Sequence, residues 1–243
     1  ITLEDFVADW NGALRKLAAS PVRNQPNARI VADFWNDSGV NRLPYLRGDL
    51  LAAFWDPRLR AASAGERNLD DVLVAMNAEA ARGEPRRATQ AFEEQMRRAG
   101  VDVADDLARY VERGEWPRLP QDTCARCGKV ETMDRPEFHR GFDVERTTAA
   151  GNAVTGLDPE SPAYRAGLRE GMKIHERTSG EPGNSLVPYT YRVQDGDAER
   201  MITFLPEGKG RMTFQQLVLD PALDESRWVA CLQRLSGVTS PKR

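Results

Sequence analysis

The first residues whose types suggest chemistry are the Pro-Tyr-Leu-Arg-Gly run at residues 44–48. Pro44 suits the first turn of a helix, where its missing N–H is not needed, so we expect a helix to begin near it. Tyr45 then lies at the mouth of that helix, about one turn before Gly48 on the same face. A tyrosine at such a position is more often a core residue than a functional one. Gly48 favours function, because glycine inside a helix costs roughly 1 kcal/mol and close approach of backbone or ligand compensates for that cost.

The metal-ligating residues are too few and too far apart for a zinc site. The two histidines are His139 and His175, and neither has a second histidine four residues on, the spacing that binds one zinc from a helix face. Cys124 and Cys127 form a single Cys-x-x-Cys, whereas a structural zinc needs four ligands. We interpret this pair as structural or as a local disulfide rather than as a metal or redox site.

A second informative run, Ser-Pro-Ala-Tyr-Arg-Ala-Gly-Leu at residues 161–168, contains several residues that fix backbone conformation. Ser161 can cap a short helix and Pro162 fits its first position. Gly167 can end the helix in a left-handed conformation. The two alanines between them would let the helix lie close to a sheet. The run therefore predicts a short helix packed on β-structure.

The chain up to about residue 116, which includes residues 44–48, has apolar residues at helical spacing and is predicted to be helical. Thr2 with Asp5 predicts the cap of the first helix. Apolar residues on more than one face of the third helix predict burial from several sides, and Pro57 should kink or restart it. The pattern predicts a helical bundle or a solenoid-like stack, with the other helices at residues 27–35, 68–76, 87–99 and 103–111.

Beyond residue 120 glycine, proline and β-branched residues become more frequent, which predicts short strands. The candidates are residues 142–147, 153–157, 173–176, 189–194, 201–205 and 212–219. Asp195-Gly196-Asp197 predicts a hairpin turn, and so does Gly208-Lys209-Gly210. The chain then returns to helix, with Trp228, Cys231 and Leu232 on one face.

Composition excludes several partners. The chain is 40% hydrophobic and 29% charged, which is typical of a soluble globular protein. A net charge of −3 is too small to indicate nucleic acid or an anionic membrane surface as a partner. No stretch approaches the roughly 18 apolar residues that a transmembrane helix needs.

Residues 161–171 resemble the Ser-Pro-Ala-x-x-Ala-Gly-Leu-x-x-Gly signature of bacterial PDZ domains, and the resemblance extends over about residues 138–219. It implies that the family's carboxylate-binding loop corresponds here to Arg140, Gly141, Phe142 and Asp143. In that family, backbone amides of the loop hold a peptide C-terminus and the following strand adds the peptide to the sheet. Residues 178–185, however, have loop chemistry where the second helix of the peptide groove is expected. Peptide binding and a purely structural role both stay open.

Residues 44–53 and 69–73 resemble the glycyl aminopeptidase family, gluzincin-type zinc metallopeptidases that carry a PDZ domain. The family pattern is Pro-Tyr-x-(Arg/Lys)-Gly at the head of a helix. The resemblance implies that Tyr45 donates its hydroxyl to the oxyanion that develops on the scissile carbonyl, and that Arg47 and Gly48 shape that edge of the cleft. It also implies a zinc on His-Glu-x-x-His and a downstream Glu, a motif that these 243 residues lack.

The sequence thus predicts an α+β fold. We expect an all-α subdomain at residues 1–118, a PDZ-like domain with its leading linker at 119–221, and a C-terminal helix and tail at 222–243. The function that the resemblance implies is the C-terminal part of a bacterial zinc aminopeptidase, which removes small residues such as glycine from peptide or protein substrates. Zinc is expected in the full-length protein and not in this chain, which alone is predicted to be inactive. The alternative is a PDZ-type peptide-binding or structural module without a catalytic role; the compartment is open, with the periplasm favoured over the cytoplasm.

Overall fold

The computed structural model describes residues 1–83 and 86–236, so the predicted tail beyond Ser236 lies outside the described residues. The fold is α+β, as predicted. The chain divides into two units, a helical unit (residues 1–131 and 215–243) and a β-rich unit (residues 132–214). The C-terminal helix therefore belongs to the helical unit rather than standing apart. Among the described residues, no helix is both long and apolar enough to span a lipid bilayer.

The elements follow one another in this order. Six α-helices and a π-helical turn come first: α1 (Leu3–Ala19), α2 (Asn27–Asp33), α3 (Ser38–Ala62), α4 (Leu69–Ala81), α5 (Ala88–Arg98), α6 (Ala104–Asp106) and the π-helical turn (Leu107–Glu112). The remaining elements are β1 (Gly128–Phe138), α7 (Val144–Ala149), α8 (Pro162–Arg165), β2 (Lys173–Ser179), β3 (Tyr189–Asp195), β4 (Ala198–Phe204), β5 (Glu207–Leu219) and α9 (Glu225–Ser236).

Capping side chains define where the helices of the helical unit begin. The predicted cap of α1 is confirmed: the Thr2 side chain accepts from the Asp5 backbone N–H, and the Asp5 carboxylate accepts from the Thr2 N–H. The start predicted for α3 near Pro44 is wrong, because Asp37 already caps the helix by accepting from the N–H groups of Gly39 and Val40 at 2.8 and 3.2 Å.

The long helix α3 carries the core of the helical unit, as its apolar faces predict. One side contributes Leu43 and Leu50 to a cluster with α1, and another contributes Trp55 and Leu59 to a cluster with α4 and α5. The helix continues through Pro57, so of the kink or restart predicted there the restart does not occur.

The final helix, α9, packs on α1 through its predicted apolar face. Trp228, Cys231 and Leu232 are buried together with residues of α1. The Trp228 indole N–H donates to the Glu4 carboxylate at 2.7 Å. This contact ties the first turn of α9 to the first turn of α1.

The β-rich unit is built around an antiparallel sheet in the order β2-β3-β4, while β1 pairs with β5. The predicted hairpin is confirmed: pairing of β3 with β4 ends at Asp195 and Ala198, which leaves a two-residue turn. Helix α8 is also confirmed, since the Ser161 side chain accepts from the Tyr164 N–H and Gly167 follows with a φ of +104°. Tyr189 and Leu168 are fully buried in the core of this unit.

Three strand or turn predictions in the β-rich unit are wrong. Residues 144–149 form α7 instead of a strand, because the Asp143 carboxylate caps a helix there. Residues 153–157 do not form a strand, because their β-pairing is limited to one isolated bridge between Ala153 and Lys173. The run 208–210 lies inside β5 rather than in a turn, and its glycines leave room for the side chain of Glu137 on the paired strand.

Candidate functional site

Tyr45 lies on the solvent-facing side of α3, in the third helical turn rather than at the helix mouth. It is 67% exposed. Its hydroxyl forms no hydrogen bond with any residue that the structure describes. The commoner role of such a tyrosine, as a core residue, therefore does not apply, and the phenol is free to donate a hydrogen bond to a group outside the described chain.

Arg47 has a different environment from Tyr45, although both belong to the same motif. It is only 8% exposed, and its guanidinium donates to the carbonyl oxygens of Arg23, at 2.6 and 3.2 Å, and of Gln25. Burial lowers the pKa of Arg47 from its ordinary value. Arg47 thus holds the loop between α1 and α2, whereas the resemblance placed it at the edge of a cleft.

Gly48 is exposed and has an ordinary helical backbone. A methyl group built on its Cα would meet no described atom within 4 Å. The close approach that was expected to compensate for a glycine in this helix is therefore absent among the described residues, and Gly48 is accounted for neither by packing nor by an unusual φ.

A pocket of about 470 Å³ opens in the helical unit beside Asp49, one turn after Tyr45 on α3. Residues four apart on a helix have Cβ atoms about 5–6 Å apart, so Tyr45 neighbours the pocket rim. The walls come from α1, α3, the start of α4, the turn before β1 and the end of α9. We call it the acidic pocket, because the charged residues that line it in the described part of the chain are Asp9, Asp49, Asp56, Asp70, Arg60 and Arg234.

The charges of the acidic pocket are unevenly compensated. Asp56 is paired: it accepts from the Arg60 guanidinium at 2.6 Å and from the Leu69 N–H at 3.0 Å. The carboxylates of Asp9 and Asp49 have no hydrogen-bond or ion-pair partner among the described residues. Partial burial without such a partner raises the pKa of Asp49.

The cysteines join elements that the Cys-x-x-Cys motif did not indicate. Cys127 forms a disulfide with Cys231, 104 residues further on, so of the two interpretations of the motif the local disulfide with Cys124 is wrong. Cys124 is a free thiol on the wall of the acidic pocket. Burial raises the pKa of Cys124 to about 11, an effect that the nearby Arg234 guanidinium partly offsets. Cys124 is consequently a neutral thiol at pH 7.

The described residues show no cluster of side chains that fits a zinc ion. Across residues 1–83 and 86–236, no three His, Cys, Asp or Glu side chains lie close enough together to hold a metal. His139 accepts a hydrogen bond from the Gly141 N–H through Nδ1, and His175 bonds to Gln194 through Nε2. Both histidines have local partners, in keeping with their interpretation as ordinary residues of the β-rich unit.

The predicted carboxylate-binding loop of the β-rich unit uses much of its own hydrogen-bonding capacity. The Gly141 N–H donates to His139, and the Asp143 N–H donates to the Thr155 carbonyl at 3.0 Å. Phe142 is buried in the core, and the Arg140 guanidinium lies about 6 Å from the centre of the Tyr189 ring. Two of the amides that a peptide carboxylate would need are therefore already satisfied.

The walls of the expected peptide groove also differ from the PDZ pattern. The segment after the loop is α7 rather than a strand, so it offers no edge to an added peptide strand. Residues 180–188 form turns and irregular structure, as their sequence predicts, where the second PDZ helix is expected. Peptide binding at residues 140–143 remains a prediction, and the two groove walls expected from the PDZ pattern are replaced by α7 and by the irregular residues 180–188.

Fold and site together define an α+β protein whose helical unit presents an exposed tyrosine next to an acidic pocket. Comparison with models of known protein families gives no match, and no curated protein matches the chain significantly. The resemblance to glycyl aminopeptidases therefore rests on the residues of the sequence itself. The sequence did not predict the pocket. Asp49 lies four residues after Tyr45 on α3 and could have been noted as a neighbour, but the remaining walls come from segments that are distant in the sequence.

Proposed function

We propose that this chain is the part of a zinc aminopeptidase that supplies the oxyanion donor Tyr45 and a PDZ-like unit, while the zinc ligands lie on residues outside it. The observation that supports this most is the state of Tyr45. It is exposed on a long helix, lacks a hydrogen-bond partner among the described residues, and neighbours a pocket large enough for part of a substrate.

Tyr45 would act by electrostatic stabilisation. When water attacks a peptide carbonyl, negative charge develops on the carbonyl oxygen, and a phenol O–H held about 2.7–3.1 Å away stabilises that charge. The donor must be fixed in advance to be effective. Helix α3 provides this, because Leu43 and Leu50 anchor its opposite side in the core with at most 2% exposure. One such donor contributes about 3 kcal/mol to the transition state.

The zinc and the general base are not assigned to this chain. Zinc supplies polarisation of the carbonyl and activation of water in such enzymes, and the described residues include no group of three His, Cys, Asp or Glu side chains placed to hold it. Their source would be a His-Glu-x-x-His helix encoded in the same reading frame.

The full-length product of that reading frame provides the test. We expect it to bind about one zinc per chain and to hydrolyse glycyl-p-nitroanilide, with activity lost on chelation and restored by zinc. The 243-residue chain alone should neither bind zinc nor hydrolyse the substrate. A full-length protein without a His-Glu-x-x-His motif, or one that contains zinc but hydrolyses no aminoacyl anilide, would overturn the proposal.

A further inference from the structure

The acidic pocket has the dimensions of a small-molecule site. Its volume of about 470 Å³ falls within the range of roughly 300–1,000 Å³ that is usual for such sites. Five separate segments of the helical unit converge on it, and two of them are joined by the Cys127–Cys231 disulfide. The pocket is thus formed by packed helices and a cross-link rather than by a single loop.

The lining charges favour a cationic occupant. Among the residues that the structure describes, four aspartates and two arginines line the pocket, and their charges sum to −2. Arg60 is paired with Asp56 and so does not offset the other carboxylates. Asp9 on α1 and Asp49 on α3 remain without a partner among the described residues. Both side chains reach solvent, and partial desolvation raises the pKa of Asp49, so a bound cation would relieve the cost of that desolvation.

The aromatic lining favours an organic cation over a metal ion. Phe6 and Trp10, both half-buried on α1, line the same pocket as Asp9 and Asp49. The Trp10 indole N–H points at the Asp49 carbonyl oxygen, at 3.5 Å, which orients the ring. Aromatic faces attract ammonium groups and bury the apolar groups attached to them. Three carboxylate, cysteine or histidine ligands grouped for a metal, by contrast, are absent from the described part of the chain.

Cys124 is an observation independent of the carboxylates. It is 5% exposed, its thiol has no hydrogen-bond partner among the described residues, and yet it lines the pocket. A buried thiol of raised pKa is uncharged and weakly polar, so this part of the wall accepts an apolar group. The pocket therefore combines carboxylates at its rim with an apolar inner wall.

We propose that the acidic pocket binds a small organic amine with an apolar substituent, its ammonium group between Asp9 and Asp49 and its substituent against Phe6, Trp10 and Cys124. The inference does not depend on the aminopeptidase proposal, since it needs neither zinc nor catalysis.

Benzylamine is the probe, with benzyl alcohol as its neutral counterpart and benzoate as its anionic one. Calorimetric titration of the 243-residue chain at pH 7 should give saturable binding of benzylamine. Benzyl alcohol should bind at least about tenfold more weakly, because it lacks the charge. Equal binding of benzyl alcohol would mean that the pocket is merely apolar, and tighter binding of benzoate would mean an anion site at Arg234. Either result would overturn the proposal. So would the absence of benzylamine binding up to about 10 mM, which corresponds to a binding free energy weaker than roughly −3 kcal/mol.

Two isosteric variants locate the site. Asp49→Asn and Asp9→Asn should each weaken benzylamine about five- to tenfold, the effect of removing a partly solvated charge contact. Glu112→Gln removes the same charge from an exposed position that does not line the pocket, and it should leave affinity within about twofold. If all three variants behaved alike, binding would depend on net charge and not on this pocket.

Cys124 supplies a second readout. Alkylation by iodoacetamide at pH 9 should be slowed by benzylamine and not by benzyl alcohol at equal concentration. Of the three cysteines, the other two form the disulfide, so the label reports on Cys124 alone. Unchanged alkylation in the presence of saturating benzylamine would place the amine elsewhere and overturn the assignment.

Discussion

Two short motifs differ in the contacts that determine their structure. Residues 161–167 of the β-rich unit depend on contacts within the motif, whereas residues 44–48 of the helical unit depend on contacts with residues outside it. In the first, each residue acts on its own backbone: Ser161 accepts from the Tyr164 N–H at 3.1 Å, and Gly167 has a φ of +104°. In the second, Asp37 sets the helix start and Arg47 binds a carbonyl 24 residues away. Tyr45 meets no described partner at all.

The difference separates two kinds of information. A motif whose hydrogen bonds close on its own backbone predicts local structure, because nothing distant is needed to form it. A motif that points outward predicts chemistry only when its partners are also present.

The tryptophans allow the two units to be followed separately by experiment. All five lie in the helical unit, so tryptophan fluorescence reports on that unit.

The largest expected effect is loss of the long-range cross-link in the helical unit. Cys231→Ala should lower the free energy of unfolding by about 3 kcal/mol, because the disulfide restricts the unfolded chain. Urea titration followed by tryptophan fluorescence measures this. Cys124→Ala is the matched control, with an expected loss of about 1 kcal/mol from the missing buried sulfur. Equal losses would show that the cross-link itself contributes nothing.

In the β-rich unit, Gly141→Ala should be costly although the position is a loop. The added Cβ would lie 2.7 Å from the Ser161 Oγ and 3.0 Å from the Ala163 Cβ, with φ at +84°. We expect a loss of about 2–3 kcal/mol, measured by amide hydrogen exchange in this unit. Gly151→Ala, at a φ of +66° in open space, controls for backbone strain alone and should lose about 1 kcal/mol. Equal effects would mean that contact with α8 does not matter.

Arg47→Lys distinguishes an anchor from a cleft residue. An ammonium group cannot donate to the Arg23 and Gln25 carbonyls as the forked guanidinium does, so we expect a loss of about 1–2 kcal/mol in the fluorescence-detected transition. Arg42→Lys, at an exposed site on the same helix, should have no measurable effect. If Arg47→Lys left the stability unchanged but lowered the activity of the full-length protein, Arg47 would be a cleft residue rather than an anchor.

The smallest effect is the pH dependence contributed by Asp49. Since partial burial raises its pKa in the folded state, the folded protein holds this proton more tightly than the unfolded chain does. The wild type should therefore lose stability relative to Asp49→Asn as pH rises from about 4, the ordinary pKa of aspartate, through the raised value. The facing charges are Asp9 on α1, Asp56 and Arg60 on α3, Asp70 on α4 and Arg234 on α9. Parallel stability curves for the two proteins between pH 3 and 7 would contradict this sign.

Much of the fold followed from local patterns. The capping box at Thr2, the helix start at Asn68, the apolar face of α9 and the turn after Asp195 were predictable because their residues act within a few positions. Two errors arose where local rules compete. Pro44 suits a first turn, but Asp37 caps the helix earlier, and the predicted strand at residues 142–147 contains Asp143, a strong helix cap.

The acidic pocket could not be predicted in the same way. It forms where α9 returns to α1 and α3, and the disulfide partner of Cys127 lies 104 residues away. Residues at helical spacing occur within α1 and within α3, such as Asp56 and Arg60, but that spacing does not bring the two helices together. The chemistry of such a site depends on tertiary contacts that periodicity does not encode.

Steady-state kinetics of Tyr45→Phe in the full-length protein test the central proposal most directly. Removal of one oxyanion donor should lower kcat about 100-fold, with KM nearly unchanged, because the hydrogen bond strengthens in the transition state. Tyr164→Phe, the same chemical change in the β-rich unit, should leave kcat unaltered. A Tyr45→Phe enzyme with wild-type kcat would contradict the role given to Tyr45.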